Sequence, residues 1–313
     1  MRTVYTIGDC VLDLFFENDK PVEAKPGGSF LNSSVSLGRL GVNVSLISEL
    51  GVDRVGEQIF DFLKQNNVDT NHIARFTDTN SNLALAFLDE KKNADYSFYK
   101  TRKGLETCIK FPTCVKKNDI VLFGSFIAIK LEFRSALVDF LKECKSKGAI
   151  IIYDPNFRAQ HLPLLEEVLP FIKENIQMCD IVKASNEDFE LICKANSAKS
   201  AFKWMNEFSS AKLIYTANKN GVHVIIGKEY VFEVPQIIPI STVGAGDTFN
   251  AAIAYYLIKE NIKLDDIYNL SESQIRNFVE LAVHFSQKVC MGYDNFIDEE
   301  LAKHYHIKRT PRD

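Results

Sequence analysis

The chain has 313 residues, of which 46% are hydrophobic and 25% charged, and its formal net charge is −4 at pH 7. This balance is typical of a globular protein with a sizeable core. The weak negative charge gives no electrostatic reason to expect nucleic acid or an acidic membrane as a partner.

Cysteine usage and hydropathy narrow the class of protein further. The seven cysteines show no Cys-x-x-Cys spacing, and the six histidines do not interleave with them at the spacing of a zinc site. No apolar run approaches the roughly 18 residues of a membrane span. Because the first residues also lack a signal-peptide pattern, we expect a cytoplasmic protein.

The first hundred residues predict a small, half-exposed sheet. After a strand-like run at 4–7, three segments alternate apolar with polar residues, as strands with one solvated face do. They are 11–16, 83–89 and 96–99, and helices are predicted between them at about 30–40 and 55–66. We assign the strands of this small sheet to about 11–30 and 83–107. A sheet of this size beside a crevice would serve as a lid.

From about residue 120 the chain alternates short apolar runs with helix-period segments. The apolar runs predict strands buried on both faces, which means a parallel sheet covered by helices. The predicted strands are 120–123, 149–153, 181–184 and 213–216, and the predicted helices are about 132–147, 163–174, 187–194, 198–208, 245–259 and 273–288. The spacing Ser271-x-x-Gln274 predicts a capping box on the last helix. Without a repeat or a long linker, we expect one α/β domain over 1–313.

The strongest local signal is the segment 241–250, Ser-Thr-Val-Gly-Ala-Gly-Asp-Thr-Phe-Asn, which continues into an apolar helical stretch. At a helix start, Gly244, Ala245 and Gly246 offer backbone N–H groups and the positive end of the helix dipole to a phosphate. Asp247, in the first helical turn, could accept a proton from an attacking hydroxyl. The competing interpretation is a glycine turn with an Asp that stabilises a helix start.

A second glycine segment precedes the first predicted helix. Gly27 and Gly28 let a ligand approach the backbone closely, and Asn32 offers a donor and an acceptor from the first helical turn. Taken alone, the segment is better explained as a turn with glycine at both helix ends. Its combination with the later phosphate motif favours a ligand site.

These two segments, in this order and at about this distance, resemble the signature regions of the phosphofructokinase-B (ribokinase-like) sugar kinase family. Gly8-Asp9 with Asp13 resembles the family's opening strand and sugar-binding Asp. The segments 96–99, 123–125 and 154–158 resemble segments of its fructokinase branch. The similarity runs from about residue 4 to about residue 298.

The resemblance implies a ribokinase-like α/β fold, in which helices cover both faces of a large, mostly parallel sheet and a small β-sheet forms the lid. It implies ATP-dependent phosphorylation of a sugar hydroxymethyl group, with ATP and Mg²⁺ as cofactors. Asp247 would be the catalytic base, and the amides of Gly244, Ala245 and Gly246 would stabilise the transferring phosphate. The residues that would bind the sugar are Asp13, Gly27, Gly28, Asn32, Phe98, Asn156 and Arg158. For Asn156, a turn after a strand is an equally good interpretation.

The resemblance also implies a nucleotide side. The residues that would bind the nucleotide are Ser185, Thr216, Asn218, Gly221, Gly244, Gly246 and His284. In the family's Asn-x-x-Glu segment, Ser185 takes the place of the Asn and Asp188 takes the place of the Glu. Asp188 would reach the metal through water. Asn218 replaces a glycine of the nucleotide loop and tolerates positive φ. A structural role is the competing interpretation for His284.

Two departures from the family pattern bear on activation and substrate. Ser241 replaces the Asp that helps to hold a monovalent cation in potassium-activated members, so we expect no such activation. Lys100 replaces an Arg of fructokinase-like members and loses its planar fork, which indicates a substrate other than fructose. Further candidates for substrate selection on the lid are Phe98, Arg102 and Lys103. An exposed lid edge could pair into a homodimer or be capped.

Three kinds of function therefore compete. The first is a sugar kinase that takes ATP and a small-molecule sugar, with a nucleoside kinase and a 2-keto-3-deoxygluconate kinase as rivals within the same fold. The second is a non-catalytic relative that binds sugar or nucleotide, against which the intact Gly-Ala-Gly-Asp argues. The third, a dinucleotide-binding oxidoreductase, fails because no Gly-x-Gly-x-x-Gly follows the first strand.

Overall fold

The computed structural model describes residues 2–88, 94–101, 104 and 107–307. In chain order the strands are β1 (Val4–Ile7), β2 (Val11–Glu17), β3 (Lys20–Gly27), β4 (Val44–Gly51), β5 (Ile73–Phe76), β6 (Leu83–Leu88), β7 (Ala94–Tyr99), β8 (Ile120–Gly124), β9 (Ile150–Asp154), β10 (Ile181–Ser185), β11 (Lys212–Thr216), β12 (Val222–Ile226) and β13 (Lys228–Phe232). The helices are α1 (Ser29–Arg39), α2 (Arg54–Gln65), α3 (Leu131–Ser146), α4 (Leu165–Met178), α5 (Asn186–Cys193), α6 (Ala198–Asn206), α7 (Ala245–Lys259), α8 (Glu272–Cys290) and α9 (Glu299–Tyr305). Within these described ranges no helix has the length and apolarity to cross a membrane.

The body is a nine-stranded sheet in the order β13-β12-β11-β10-β9-β8-β1-β4-β5. The strands from β11 to β5 are parallel, and β12 and β13 join antiparallel at one edge. Alternate residues of β8 enter two different hydrophobic clusters. Ile120 and Leu122 pack with residues of α1, α7 and α8, whereas Val121 and Phe123 pack with residues of α3, α4 and α5. Helices therefore cover both faces of a large, mostly parallel sheet, and the predicted fold class is confirmed.

The strands and helices predicted for the second half are all present, with ends shifted by a few residues. The capping box is confirmed, because the backbone N–H of Gln274 donates to Ser271 Oγ and the backbone N–H of Ser271 donates to Gln274 Oε1. The structure adds β4, β5, β12 and β13. A search for uninterrupted apolar runs misses these strands because polar residues such as Ser45 and His223 stand within them.

The lid is a separate four-stranded sheet in the order β3-β2-β6-β7. β2 and β6 are parallel, and β3 and β7 pair antiparallel at its edges. β3 ends at Gly27 and α1 begins at Ser29, so residues 28–30 belong to a turn and a helix rather than to a lid strand. The predicted substrate-selecting residues Arg102 and Lys103 lie outside the described residues, as does residue 89 at the end of a predicted strand.

The inner face of the lid is defined by its register. Lys25 pairs with Asp13, Asp13 with Ala84 and Ala84 with Phe98, so these four side chains form one row on one face. Tyr96 lies two residues from Phe98 and therefore points to the same face. Because Asp13 is 4% exposed, this face is the one that is turned toward the body.

Candidate active site

Gly244 begins the phosphate motif in a conformation that favours glycine. Its φ is 82°, and a Cβ at this position would lie 2.2 Å from the carbonyl oxygen of Asn295. α7 follows at Ala245, so Gly246 and Asp247 stand in a first helical turn, where backbone N–H groups have no partner inside the helix. The positive end of the helix dipole adds to these donors. The arrangement can bind an anion at the start of α7.

Asp247 is held in place by hydrogen bonds from the first turn of another helix, α1. Ser29 Oγ donates to Asp247 Oδ1 at 2.6 Å, and Asn32 Nδ2 donates to Asp247 Oδ2 at 2.8 Å. Ser33 Oγ also donates to the main-chain oxygen of Asp247 at 2.8 Å. The helix starts that follow the two glycine motifs thus meet at one carboxylate.

The paired glycines make room for a second carboxylate, Asp13. A Cβ on Gly27 would lie 1.9 Å from Asp13 Oδ2, so a side chain there would displace the carboxylate. Gly28 has φ 123°, and a Cβ on it would lie 2.2 Å from the carbonyl oxygen of Asp9. The glycines therefore allow the chain to turn tightly between β3 and α1 while Asp13 stays beside the turn.

Asp13 and Asp247 influence each other electrostatically. Burial and the negative charge of Asp247 raise the pKa of Asp13 to about 7. Burial also raises the pKa of Asp247, whereas the hydrogen bonds from Ser29 and Asn32 and the charge of Arg158 oppose that rise. Two carboxyl groups with different environments can divide the roles of proton donor and proton acceptor.

Two groups, Tyr96 and Arg158, interact electrostatically with these carboxylates, and Phe98 packs on Tyr96. Tyr96 is half-buried, and its pKa is raised by burial and by the charge of Asp13, with Arg158 acting in the opposite direction. Phe98 is 41% exposed and stacks on Tyr96 with ring centroids 5.6 Å apart. Arg158 is exposed, and its charge also acts on Asp247. The sequence interpretation named Phe98 and Arg158 but missed Tyr96, although Tyr96 lies two residues away on the same strand face.

Asn156 stands in the turn that follows β9. Its backbone N–H donates to Asp154 Oδ1 at 3.0 Å, its φ is 40°, and its side chain donates to Ser125 Oγ at 3.0 Å. These bonds orient the turn. They leave the side-chain oxygen of Asn156, Oδ1, without a hydrogen-bond partner in the described chain. The residue therefore has the geometry of a turn former, with an acceptor left for a ligand.

A buried ion pair lies beside the anion-binding helix start. Lys183 Nζ lies 2.9 Å from Asp154 Oδ2, and Asn250 Nδ2 donates to the same oxygen at 2.6 Å. Lys183 Nζ also lies 3.2 Å from the position that a Cβ on Gly246 would take. Sequence reasoning missed this cluster because Lys183 lies in an apolar strand run. The signal that could have revealed it is a lysine at a position where both neighbours are buried.

Four of the seven proposed nucleotide residues lie at the ends of β10 and β11, namely Ser185, Thr216, Asn218 and Gly221. Ser185 and Thr216 are direct neighbours in the sheet. Asn218 has φ 49°, and Gly221 has φ 105°, with no room for a Cβ against the carbonyl oxygen of Phe232 at 2.5 Å. The positive φ of Asn218 agrees with its replacement of a glycine in this loop, and the structure adds a second positive φ at Gly221.

His284 differs from the other nucleotide candidates in its surroundings. Its ring lies 6.1 Å from the ring of Tyr305, and burial lowers its pKa. Two residues further along α8, Ser286 Oγ donates to the main-chain oxygen of Ala245 at 2.9 Å. The helix therefore borders the anion-binding start of α7, while the contacts of His284 itself are aromatic.

Asp188, the candidate for a metal contact, is 5% exposed and already holds several donors. Its Oδ2 accepts from the backbone N–H and hydroxyl of Ser185 at 2.7 and 2.6 Å, and its Oδ1 accepts from the Phe157 amide at 2.6 Å. Across the described ranges no group of three His, Cys, Asp or Glu side chains could hold a metal ion. This donor set fits Mg²⁺ only as an ion carried on phosphates and reached through water.

Comparison with known proteins agrees with this geometry. Residues 1–291 match the family described as pfkB family carbohydrate kinase. A sugar kinase of Pyrococcus horikoshii, itself uncharacterized, is 30% identical over 297 residues, covering 85% of this chain and 87% of that protein. Fructokinase-1 of Zea mays is 26% identical over 255 residues, covering 79% of this chain and 78% of that protein.

A solved structure resembles the whole fold. The fructokinase of Vibrio cholerae, crystallised with fructose, ADP and calcium, superposes with a TM-score of 0.83 at 19% identity, over 97% of this chain and 99% of that chain. At this identity the likeness shows the ribokinase-like fold. The chain therefore belongs to the pfkB family of carbohydrate kinases, and its activity is the ATP-dependent phosphorylation of a carbohydrate.

The raised pKa of Asp13 can be measured directly. In the wild-type protein we expect the Asp13 carboxyl to titrate near pH 7 by ¹³C NMR, with the signal assigned by its loss in Asp13→Asn. In Asp247→Asn the Asp13 pKa should fall, because the neighbouring negative charge is gone.

The same shift predicts the direction of a stability change. The folded protein holds a proton on Asp13 that the unfolded chain loses above about pH 4. The free energy of unfolding should therefore fall as the pH rises from about 4 to 7, and this slope should be smaller in Asp13→Asn. Titration of Asp13 below pH 5, or an unchanged slope, would contradict the assignment.

Proposed function

We propose that this kinase phosphorylates a sugar hydroxymethyl group with Asp247 as the base. The observation that carries the proposal is the fixed position of Asp247 at the start of α7. Its two carboxylate oxygens accept hydrogen bonds from Ser29 and Asn32, which lie in the first turn of α1. Positioning of this kind aligns a base with the attacking hydroxyl. Because the bond to the leaving group breaks early in a loose transition state, the proton can move late, and position matters more than basicity.

The transferring phosphate would lie against the start of α7. The amides of Gly244, Ala245 and Gly246 would donate to its oxygens, and the ammonium of Lys183 lies beside Gly246. Within the described chain Lys183 makes one hydrogen bond, to Asp154, so two N–H groups of the ammonium remain for a phosphate. Donors fixed before the reaction stabilise charge that develops in the transition state.

ATP would extend from this point across the ends of β10 and β11. Its binding residues would be Ser185, Thr216, Asn218, Gly221, Gly244, Gly246 and His284. Mg²⁺ on the phosphates would supply charge neutralisation, with Asp188 contacting it through water. Since Ser241 carries no charge, we propose that a monovalent cation is not required.

The sugar would lie between the lid and the two helix starts. Asn32 is 3% exposed, and its Oδ1 has no hydrogen-bond partner among the described residues. A buried acceptor without a partner costs free energy unless a ligand donates to it. Such a site rejects analogues that lack the matching hydroxyl. The residues that would bind the sugar are Asp13, Gly27, Gly28, Asn32, Phe98, Asn156 and Arg158, to which we add Tyr96.

The first experiment measures ADP release with Mg-ATP across a panel of ketoses, sugar acids and nucleosides. Asp247→Asn should lower kcat about a thousandfold while ATP binding by calorimetry is retained. Asp139→Asn is the matched control, because Asp139 lies exposed on α3 and makes no ion pair in the described chain. Turnover of nucleosides alone would overturn the sugar assignment. Absence of turnover, with the wild type and Asp247→Asn binding ligands alike, would favour the non-catalytic alternative.

A 2-keto-3-deoxygluconate kinase is the second candidate, favoured by the cationic groups on the sugar side. Arg158 acts electrostatically on Asp247, and Lys100, whose ammonium lies 3.9 Å from the centre of the Phe126 ring, adds to the larger effect of Lys130 in lowering the pKa of Asp9. Such groups can donate to the hydroxyls of a neutral ketose, but a sugar carboxylate would form charge-assisted hydrogen bonds with them that are about twice as strong.

Arg158→Met separates the two candidates. For an acid acceptor, KM should rise by about ten- to a hundredfold, the loss of one charge-assisted hydrogen bond, while KM for ATP is unchanged. For a neutral ketose, KM should change little. A KM that is equally insensitive for every accepted substrate would exclude a carboxylate contact at Arg158.

Lys183→Met tests the phosphate role of the buried lysine. We expect kcat to fall about a hundredfold, with KM for the sugar little changed. Because this substitution leaves Asp154 buried without its ion pair, the double variant Lys183→Met/Asp154→Asn is measured beside it. If the double variant regains both thermal stability and kcat, Lys183 serves folding rather than phosphoryl transfer.

A further inference from the structure

Lys25 joins the lid to the body from the strand next to Asp13. It lies on the inner face of the lid in the same row as Asp13, and its side chain is 14% exposed. Its ammonium lies 3.1 Å from the main-chain oxygen of Tyr293, 3.1 Å from Asp294 Oδ1 and 3.0 Å from Glu23 Oε1. Two of these partners belong to loop 293–295, and the third, Glu23, lies on β3 itself, so the ammonium links β3 to the loop through two contacts while Glu23 holds it from its own strand.

Loop 293–295 also touches the anion-binding helix start. The carbonyl oxygen of Asn295 lies 2.2 Å from the position that a Cβ on Gly244 would take, and Asn295 is 1% exposed. The loop is therefore packed directly against the residue that begins the phosphate motif. Movement of the loop would move Gly244, because nothing compressible separates them.

The loop is fixed at both ends by hydrogen bonds to the body. Before it, the amide of Ile240 donates to the main-chain oxygen of Cys290 at 2.8 Å. After it, Arg39 Nη1 donates to the main-chain oxygen of Ile297 at 2.6 Å. Lys25 holds the part between these two anchors.

Beside the Lys25 contact, the lid and the body are not closely packed against each other. A cavity of about 190 Å³ lies here between the lid and the body, lined on the lid side by Phe15, Glu17, Val22, Glu23 and Leu88 and on the body side by Ile240, Ser241 and Tyr293. Side chains across an open cavity lose the dispersion contacts that would otherwise hold two surfaces together. The Lys25 contact therefore bridges the lid and the body beside this cavity.

We infer that Lys25 is a positioning residue, which couples the seating of the lid to the geometry of the anion-binding amides through loop 293–295. This inference rests on the proposed role of Gly244, Ala245 and Gly246. Without the ammonium, Glu23 and Asp294 no longer share a partner, and the loop behind Gly244 can shift. Donors that are misplaced by a fraction of an ångström weaken binding of the transition state more than binding of ATP.

The test compares Lys25→Met with Lys20→Met. Lys20 begins the same lid strand, is exposed and forms no ion pair among the described residues. Lys25→Met should lower kcat about tenfold and leave KM for Mg-ATP within about twofold. It should also raise the amount of ADP released per sugar phosphate formed, since a lid that is not seated admits water. Lys25→Arg should restore both values toward the wild type.

A double-variant comparison identifies the route of the effect. Asp294→Asn should lower kcat in the same direction, and Lys25→Met/Asp294→Asn should be no worse than Lys25→Met alone, because one contact is lost once. An unchanged kcat in Lys25→Met, an equal loss in Lys20→Met or fully additive losses would each overturn the inference.

A readout without turnover separates this inference from the proposed function. Amide hydrogen exchange at 293–297 should be faster in Lys25→Met than in Lys20→Met. If the wild type turns over no acceptor, the proposed function fails, while this exchange still tests the Lys25 contact. Equal exchange in the two variants would overturn the contact, whatever the activity of the wild type.

Discussion

The Asp247 carboxylate joins parts of the chain that are 218 and 215 residues apart in sequence, through its bonds to Ser29 and Asn32. Those two residues occupy the first turn of α1, and Asp247 occupies the first turn of α7. Two helix starts, each with a positive dipole end, thus converge on one negative group. The pairing stabilises a carboxylate where a partly buried one would otherwise be costly, and it holds α1 against the helix start that carries the amides of residues 244–246.

Backbone crowding around this point explains where glycine is needed. Gly27, Gly28 and Gly244 each stand where a Cβ would lie within about 2 Å of a neighbouring oxygen, at Asp13, Asp9 and Asn295 respectively. Each contact ties the site to a different part of the fold, namely the lid, the turn after β1 and the loop before α9. A substitution at any of the three would therefore disturb the position of the carboxylates or of the anion-binding amides before it changed any contact to substrate.

The sequence alone predicted those elements and site residues whose signal lies within one short segment of the chain. The buried strands β8 to β11 follow from uninterrupted apolar runs, and α7 follows from the Gly-Ala-Gly-Asp start that also marks the phosphate site. The cluster of Lys183, Asp154 and Asn250 could not be found in this way. Lys183 and Asn250 are 29 and 96 residues from Asp154 in sequence, and the three meet only because β9, β10 and α7 are neighbours in space. Tyr96 was missed for another reason, since only the register of the lid shows that it shares a face with Asp13.

The two carboxyl groups of the site also have unequal hydrogen bonding, which decides where a shared proton resides. Asp247 accepts from two donors that favour its ionised form, whereas Asp13 is buried and makes no side-chain hydrogen bond in the described chain. Below its pKa of about 7 the Asp13 carboxyl holds a proton, whereas the hydrogen bonds on Asp247 favour its ionised form against the effect of burial. A protonated Asp13 can donate to one sugar hydroxyl while the ionised Asp247 accepts from another. The proposed roles, a neutral carboxyl for sugar binding and a charged carboxylate for proton removal, depend on such a difference between the two environments.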